Sequence, residues 1–420
     1  MKRRHLQAIC FGAVALLGVA ACSSAASGGS PAASGSGPVS SSGGTINVGL
    51  LADVTGAYAS GRTMEEGVKA RFALQNAEGG VDGKKLSYEQ VDTTSTVPGT
   101  LSAAQTLVQN DHVLGILDGA FNLSGAVDFL KQQNVPVVGF SSASQDFGEA
   151  TFTNMFSVTG SSNPGFLVTT TYGNFFKSQG ATSVAGVGYP DASSTNSVLA
   201  TMKGAQAVGL KVAYQDTSLP IGSTDVGALA LNIKKSGANA IYLPILEDTA
   251  FALLAQLKED GVKLKAAVLL TGYGQATLSS TPAVAAAQGY DFMTFQQQSE
   301  ANTPATQKMD AALDKYAGVK GEPYYNDIQG WVLADLFIAG LEAAGSNPTA
   351  SSFISGLRKV NDYVGGGLYA KPINFSQFGN LGIGVGPGNC VYISKLEGKT
   401  FQVIPGANPV CGTSTGQTVG

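Results

Sequence analysis

The chain has 420 residues, 44% of them hydrophobic, which is enough to form two domains of ordinary size. Only 13% of the residues are charged and the formal net charge is −4, so no basic surface is expected to bind nucleic acid. The composition favours an acidic globular protein whose partners are neither DNA nor RNA.

The first 44 residues have the pattern of a lipoprotein signal followed by a tether. Basic residues at 2–4 precede an apolar run that ends in VAAC at 19–22, a motif that resembles a lipobox. Cleavage before Cys22 would remove residues 1–21 and leave Cys22 to carry lipid, anchoring the protein to the extracytoplasmic face of a membrane. Residues 22–44, rich in Ser, Gly, Ala and Pro, are expected to form a flexible tether. The alternative is an ordinary secretory signal with an incidental cysteine.

A strand, a helix and a second strand are predicted after the tether. Apolar residues alternate and then run together from Ile46 to Ala52, which predicts a strand buried on both faces. An apolar residue at every fourth position from Met64 to Phe72 predicts a helix. The next strand is predicted at Leu86–Asp92. The loop between the first strand and the helix, Asp53–Arg62, therefore lies where open α/β sheets bind ligands.

This unit also resembles a known family. The segments VTGAYASGRTMEEGVKA (54–70) and NAEGGVDGKKL (76–86) resemble the amino-terminal signature of solute-binding proteins similar to the leucine/isoleucine/valine-binding protein. Those proteins serve ABC importers and have the type I periplasmic binding fold. The resemblance implies an α/β fold of two doubly wound Rossmann-like domains, joined by three crossover segments, with the ligand between them.

Strands and helices alternate along the rest of the chain in two runs, as expected for two doubly wound sheets. The first run has predicted strands at Val113–Asp118 and Val135–Gly139. The second begins with a predicted helix at Pro164–Gln179 and continues in strand–helix units from Ser183 to Ala287. Helices are then predicted at 303–317, 326–344 and 353–360, and a hairpin at 372–403.

Three segments resemble the family's crossovers between domains, at 151–159, 290–295 and 363–369. They divide the chain into domain 1 at 45–157 plus 293–364, and domain 2 at 158–292 plus 365–412. Residues 413–420 are predicted to be a flexible tail.

The four cysteines of the chain predict one disulfide. Cys10 is lost with the signal and Cys22 is the lipidation site, so Cys390 and Cys411 remain as a pair in an oxidising compartment. The alternative is two free buried thiols.

The sequence gives no sign of catalysis or of a cofactor. Once the signal is removed, His112 is the only histidine, and neither a GxSxG nucleophile elbow nor a phosphate-binding GxxxxGK[ST] loop is present. The glycine-rich segment 382–388 has no helix after it and predicts a turn rather than a dinucleotide loop. We therefore expect a binding protein with no metal and no cofactor, not an enzyme.

The loop after the fourth predicted strand is a candidate carboxylate-binding site. Ser141, Ser142, Ala143 and Ser144 offer hydroxyls and successive backbone N–H groups that can hold a carboxylate without a counter-charge. The resemblance implies the same, because the family's carboxylate-binding loop falls on this segment, although Ala143 stands at its threonine position. The alternative is a serine-rich capping loop.

The resemblance implies further ligand contacts in the other loops at strand ends. In the first domain these are Tyr58, Ser60, Phe121 and Asn122; in the second they are Tyr189 and Ser194. Tyr273 lies near the position where amino-acid binders have a glutamate that pairs with the ligand ammonium. Glu247 or Asp248 would have to replace that glutamate, because an ammonium in a dry cleft needs an opposite charge. For the aromatic residues, a role in the core or at the rim is an alternative.

Together these features predict a monomeric extracytoplasmic lipoprotein that captures a small polar solute, amino-acid-like or carboxylate-bearing. The solute would be captured by hinge closure and delivered to an ABC permease. One alternative is a sensor that presents its ligand to a membrane receptor. The other is an extracytoplasmic hydrolase.

Overall fold

A parallel five-stranded sheet forms the core of the first half of the molecule. The computed structural model describes residues 44–59, 63–140, 147, 151–160, 166–377 and 389–420. The strand order in this sheet is β2-β1-β3-β4-β5. Its strands are β1 (Thr45–Ala52), β2 (Lys85–Asp92), β3 (Ile116–Gly119), β4 (Val137–Gly139) and β5 (Met155–Ser157). β1 and β3–β5 are almost wholly buried, and most of their residues are apolar, as is typical of strands in a parallel sheet.

Helices from two separate parts of the chain are associated with this sheet, and we call the sheet with these helices the first lobe. Its helices are α1 (Met64–Ala77), α2 (Val97–Gln105), α3 (Val127–Gln132), α10 (Pro304–Ala312), α11 (Tyr325–Ala344) and α12 (Ala350–Leu357). α1 and α11 cross closely, since Gly67 faces the backbone of Asp327 and Gly330 faces that of Met64. The late part of the chain thus completes the lobe that the early part begins.

The second lobe is built on an eight-stranded mixed sheet, ordered β13-β12-β11-β10-β9-β7-β8 with β14 paired to β12. The strands β7 (Ser183–Val187), β8 (Lys211–Asp216), β9 (Ala240–Leu243), β10 (Ala266–Leu269) and β11 (Asp291–Thr294) are parallel. The strand β12 (Cys390–Glu397) runs antiparallel to β11, and both β13 (Thr400–Val403) and β14 (Val410–Cys411) run antiparallel to β12. The helices of this half are α4 (Thr171–Ser178), α5 (Ala192–Ala207), α6 (Gly227–Ser236), α7 (Glu247–Glu259), α8 (Gln275–Leu278) and α9 (Thr281–Ala287).

The carboxyl terminus is a strand and not the predicted flexible tail over 413–420. The strand β15 (Ser414–Val419) pairs antiparallel with β6 (Phe166–Thr169), in a sheet of two strands. Buried Val419 and Val168 pack together with Ala200 of α5, which gives this terminal strand an apolar anchor. The same pairing explains why 166–169 is a strand, although a helix was predicted from Pro164.

One domain boundary also differs from the prediction. Phe375 packs against Phe156 of β5, with ring centroids 5.8 Å apart, and against Tyr363 at 6.1 Å. The chain is therefore still part of the first lobe beyond residue 364, where the sequence predicts that domain 1 ends. The apolar side chain of Phe375 is completely buried there, which holds the segment in place.

The predicted disulfide between Cys390 and Cys411 is present and joins β12 to β14.

Among the described residues, no helix combines the length and the apolar character that crossing a membrane requires.

Candidate functional site

A cavity of about 360 Å³ lies where the carboxyl ends of strands from both lobes meet. The first lobe contributes Asp53, Gly119 and Phe140, at the ends of β1, β3 and β4. The second contributes Tyr189 and Pro244, after β7 and β9, with Leu270 after β10. Open α/β sheets bind ligands at this edge, and the volume is in the range of small-molecule sites.

Aromatic side chains form much of the cavity wall. Both lobes and the segments between them contribute these side chains, which are Tyr58, Phe121, Phe140, Phe166, Tyr172, Tyr189, Tyr242, Phe295 and Tyr325. Flat apolar walls of this kind favour a ligand with a flat or apolar body, because burial removes its surface from water and the rings can stack on it.

The first-lobe wall is organised around Asp53. One carboxylate oxygen accepts from the backbone N–H of Phe121 at 2.8 Å, and the other accepts from the hydroxyl of Thr93. The ring of Phe121 stacks on Tyr58, with centroids 3.8 Å apart and planes inclined by 16°. Asp53 thus fixes the loop after β3, and that loop supports the aromatic ring from the loop after β1.

The second-lobe wall is fixed by hydrogen bonds at the start of α5. The Ser194 hydroxyl donates to Pro244 O at 2.6 Å and accepts from the backbone N–H of Tyr189 at 2.9 Å. The Tyr189 hydroxyl lies 3.0 Å from Thr249 Oγ1 and accepts from Leu246 N at 3.1 Å. Since these polar atoms bond to the protein itself, Tyr189 and Ser194 present mainly their carbon surfaces to the cavity.

A second polar region of the wall combines residues of the second lobe with the first turns of α11. The Tyr242 hydroxyl lies 2.8 Å from Ser197 Oγ, and its ring centroid lies 4.7 Å from that of Tyr172. From α11, Tyr325 and Gln329 line the same cavity. Gln329 Nε2 donates to a neighbouring amide, Gln296 Oε1, at 3.0 Å.

The charged groups on the described part of the wall are acidic. Asp53 and Asp191 line the cavity, and none of the described lining residues is Lys, Arg or His. Burial raises the pKa of Asp53, against the lowering effect of its hydrogen bond from Thr93. Burial also raises the pKa of Asp191, which caps α5 by accepting from Ser194 N at 2.8 Å. Burial, and after it the charge of Asp191, raises the pKa of Tyr58.

Some residues predicted to bind ligand lie on the cavity wall and others do not. Tyr58, Phe121, Tyr189 and Ser194 line it. Asn122 does not; its amide donates to Ser95 O at 2.9 Å.

Glu247 and Asp248 begin α7 but do not line the cavity. Asp248 is exposed to solvent, whereas Glu247 is half-buried and burial raises the pKa of its carboxyl group. The predicted ammonium partners therefore lie outside the cavity or behind its wall.

Tyr273 is a buried interlobe contact and not a lining residue. Its hydroxyl lies 2.6 Å from Glu300 Oε2 and 3.1 Å from Glu322 Oε2, and its ring packs on Phe401 at 4.8 Å. The position after β10 was predicted correctly as a loop, but the side chain points to carboxylates far along the chain rather than to a ligand.

The remaining predicted residues, Ser60, Ser141, Ser142, Ala143, Ser144 and Cys22, lie outside the described residues.

The sequence analysis missed several lining residues. Asp53 and Asp191 follow β1 and β7 closely, so the rule that ligands bind at strand ends could have found them. Tyr325 and Gln329 lie on α11, and Tyr172 and Tyr242 lie inside α4 and β9. No local pattern distinguishes those four from residues of the core.

No metal centre is found in the described ranges, which contain no group of three or more His, Cys, Asp or Glu side chains able to hold an ion.

Two lobes with a cavity at their strand ends define a protein of the two-lobed solute-binding class, with the predicted α/β fold. The sequence model of the periplasmic binding protein family matches residues 45–399, and the chain belongs to that family. It is therefore a binding protein rather than an enzyme, and membership implies an extracytoplasmic location. A search of the curated proteins finds no match.

Solved structures share the fold at low sequence identity. An ABC-transporter solute-binding protein from R. palustris in complex with benzoate has a TM-score of 0.69 and 17% identity, covering 88% of this chain and 98% of that one. A branched-chain amino acid binding protein from Streptococcus pneumoniae with isoleucine has a TM-score of 0.68 and 18% identity, covering 86% and 99%.

A fatty acid ABC-transporter protein from Thermomonospora curvata also has a TM-score of 0.68 and 18% identity, covering 86% of this chain and 90% of that one. At such identities these similarities establish the fold, and each ligand is a property of that protein.

Proposed function

We propose that the protein captures a small organic solute in the cavity between its lobes and delivers it to an ABC permease. The observation that carries this proposal is that loops at the strand ends of both lobes line one cavity of about 360 Å³. A ligand that contacts both walls stabilises the closed arrangement of the lobes over an open one. The closed form would then present one joint surface of the two lobes to the permease.

The walls support a solute with a flat, apolar body. Nine of the described aromatic side chains line the cavity, while Tyr189 and Ser194 use their polar atoms within the protein. Such a site gains affinity mainly from burial and stacking, and a few polar groups set the ligand orientation. The aromatic wall therefore changes the expected solute from a wholly polar molecule to one with a flat, apolar body and a few polar groups.

The predicted amino-acid-like or other carboxylate-bearing solute remains a separate proposal, which rests on Ser141–Ser144, outside the described residues. Lipid anchoring through Cys22 is likewise proposed, from the lipobox-like motif at 19–22. An anchored protein would hold its solute close to the membrane that contains the permease.

Native mass spectrometry of the gently purified protein tests the capture of a solute. We expect a 1:1 complex with a small organic molecule, released on activation in the gas phase and identifiable by its fragments. Purification from a medium enriched in the identified compound should raise the bound fraction. A protein that carries no solute after purification, and binds none from a fractionated cell extract, would contradict the proposal.

A further inference from the structure

Two residues that line the cavity each have a buried oxygen without a hydrogen-bond partner among the described residues. In Asp191, Oδ1 accepts from Ser194 N at 2.8 Å, whereas Oδ2 accepts from no group in the part of the chain that the structure describes. In Gln329, a residue only 2% exposed, Oε1 likewise accepts from none of the described groups. Buried acceptors of this kind are rare in folded proteins, and each one calls for a donor.

The neighbours of Gln329 fix which of its two polar atoms lacks a partner. Its Nε2 donates to Gln296 Oε1 at 3.0 Å, and Gln296 Nε2 in turn lies 3.3 Å from the Tyr369 hydroxyl. This buried chain of amides uses the donor side of Gln329 within the protein. One N–H of Gln329 is thus used within the protein, and the atom of this side chain that lacks a partner among the described residues is its oxygen, an acceptor.

The charge of the wall agrees with these unused acceptors. Asp53 and Asp191 line the cavity with no basic side chain among the described lining residues. The Asp53 carboxylate already accepts from Phe121 N and from Thr93, which leaves Asp191 as the carboxylate with an unused oxygen. Aromatic faces beside a carboxylate also attract a cation through the negative face of each ring.

Building on the proposed capture of a solute, we propose that the cavity takes a protonated aromatic amine. Asp191 binds its ammonium group, the aromatic wall packs against its ring, and Gln329 accepts a hydrogen bond from a further donor of the solute. A ligand of this class supplies donors to both unused acceptors and places a positive charge where the wall is acidic. An aromatic acid of the same size supplies no donor to Asp191 and brings a negative charge to an acidic wall.

Two matched probes separate these possibilities. Tyramine has a ring, a hydroxyl donor and an aliphatic amine, which like a lysine side chain is protonated at pH 7. 3-(4-Hydroxyphenyl)propionate has the same ring and hydroxyl but a carboxylate in place of the ammonium. Isothermal titration calorimetry on the full chain, freed of bound solute, should show saturable binding of tyramine and none of the acid at the same concentrations.

The variant Asp191→Asn tests the ammonium contact. Asparagine caps a helix as well as aspartate does, so α5 should keep its start while the charge is lost. We expect tyramine affinity to fall about 10- to 100-fold, the usual effect of losing a hydrogen-bonded charged partner. The matched control Asp225→Asn changes an exposed aspartate of the same lobe and should leave affinity unchanged.

Gln329→Met tests the second acceptor, with 2-phenylethylamine as the comparison ligand. In the wild type, tyramine should bind about 3- to 10-fold more tightly than 2-phenylethylamine, because only tyramine has the hydroxyl donor. In Gln329→Met this difference should disappear. If the variant fails to fold, because Gln296 Oε1 loses its donor, Asp191→Asn still decides the proposal.

Three outcomes overturn the inference. Binding of the acid as tight as that of tyramine would do so, although capture of a solute would stand. Unchanged tyramine affinity in Asp191→Asn would exclude the ammonium contact. If neither probe binds, the ligand class is wrong, and the solute found by native mass spectrometry decides independently whether the protein captures solutes at all.

Discussion

The crossing of α1 and α11 is tight enough that one added methyl group should weaken both stability and binding. A Cβ atom on Gly330 would lie 1.9 Å from Met64 O and 2.9 Å from Met64 C. Both are backbone atoms, so a change of side-chain rotamer cannot relieve the overlap. Met64 lines the cavity at the start of α1, and Tyr325 and Gln329 line it from the first turns of α11. A change in the distance between these helices must therefore move the cavity wall.

The size of the effect follows from two opposing contributions. Replacing a glycine by alanine in an unobstructed helix usually stabilises a protein by about 0.5–1 kcal/mol. Forcing a methyl group into a filled contact usually costs about 1–3 kcal/mol, since backbone has to shift. We therefore expect Gly330→Ala to lower the free energy of unfolding by about 1–2 kcal/mol, and to weaken solute binding as well.

Urea denaturation followed by circular dichroism measures the first effect, and calorimetry with the bound solute measures the second. The matched control is Gly227→Ala in α6, where an added Cβ would meet no atom within 4 Å and φ is ordinary. That control should leave stability unchanged or raise it by a few tenths of a kcal/mol. If Gly330→Ala proves as stable as Gly227→Ala, the two helices are not in close contact and the reasoning fails.

Three further predictions concern the anchor, the disulfide and pH. Cys22→Ser should move the protein from the detergent-soluble membrane fraction into the aqueous fraction; retention in the membrane would exclude the anchor. The double variant Cys390→Ser/Cys411→Ser should lose about 3 kcal/mol of stability in urea denaturation, because the disulfide closes a loop with a sequence separation of 21 residues; an equally stable variant would show that the bridge contributes nothing. Burial and the charge of Glu300 raise the pKa of Glu322 from its ordinary 4.5 to about 7. The folded protein therefore holds a proton there that the unfolded chain releases, so stability should fall as pH rises from about 4.5 to about 7. Glu322→Gln should reduce that fall, as thermal denaturation across this pH range can show; an unaltered pH profile would count against the shifted pKa.

The spacing of apolar residues was sufficient to predict the strand–helix–strand unit at the start of the first lobe. The helix predicted from apolar residues between Met64 and Phe72 is α1, and the strands on either side are β1 and β2. Periodicity works here because the buried face of each element is determined by its own residues. The loops at the strand ends could be located for the same reason, and Tyr58 and Phe121 lie on the cavity wall.

Side-chain direction and long-range pairing could not be predicted in this way. Tyr273 lies in the predicted loop, but its direction depends on Glu300 and Glu322, which are 27 and 49 residues away. The polar composition of 413–420 predicts a tail, yet Thr415 donates to Val168 O, 247 residues away, as part of β15. Contacts of this kind exist only once the whole chain is folded, so no local pattern contains them.

Calorimetric titration of a cavity-filling variant tests most directly whether the solute binds between the lobes. Ser193 lines the cavity in the first turn of α5, whereas its neighbour Ala192 is exposed and does not line it. With the solute identified by mass spectrometry, the wild type and Ala192→Trp should bind one molecule each with similar affinity. Ser193→Trp should show no binding while keeping its stability, because the indole ring would occupy the space of the solute. Wild-type affinity in Ser193→Trp would show that the solute binds elsewhere and would contradict the proposed site.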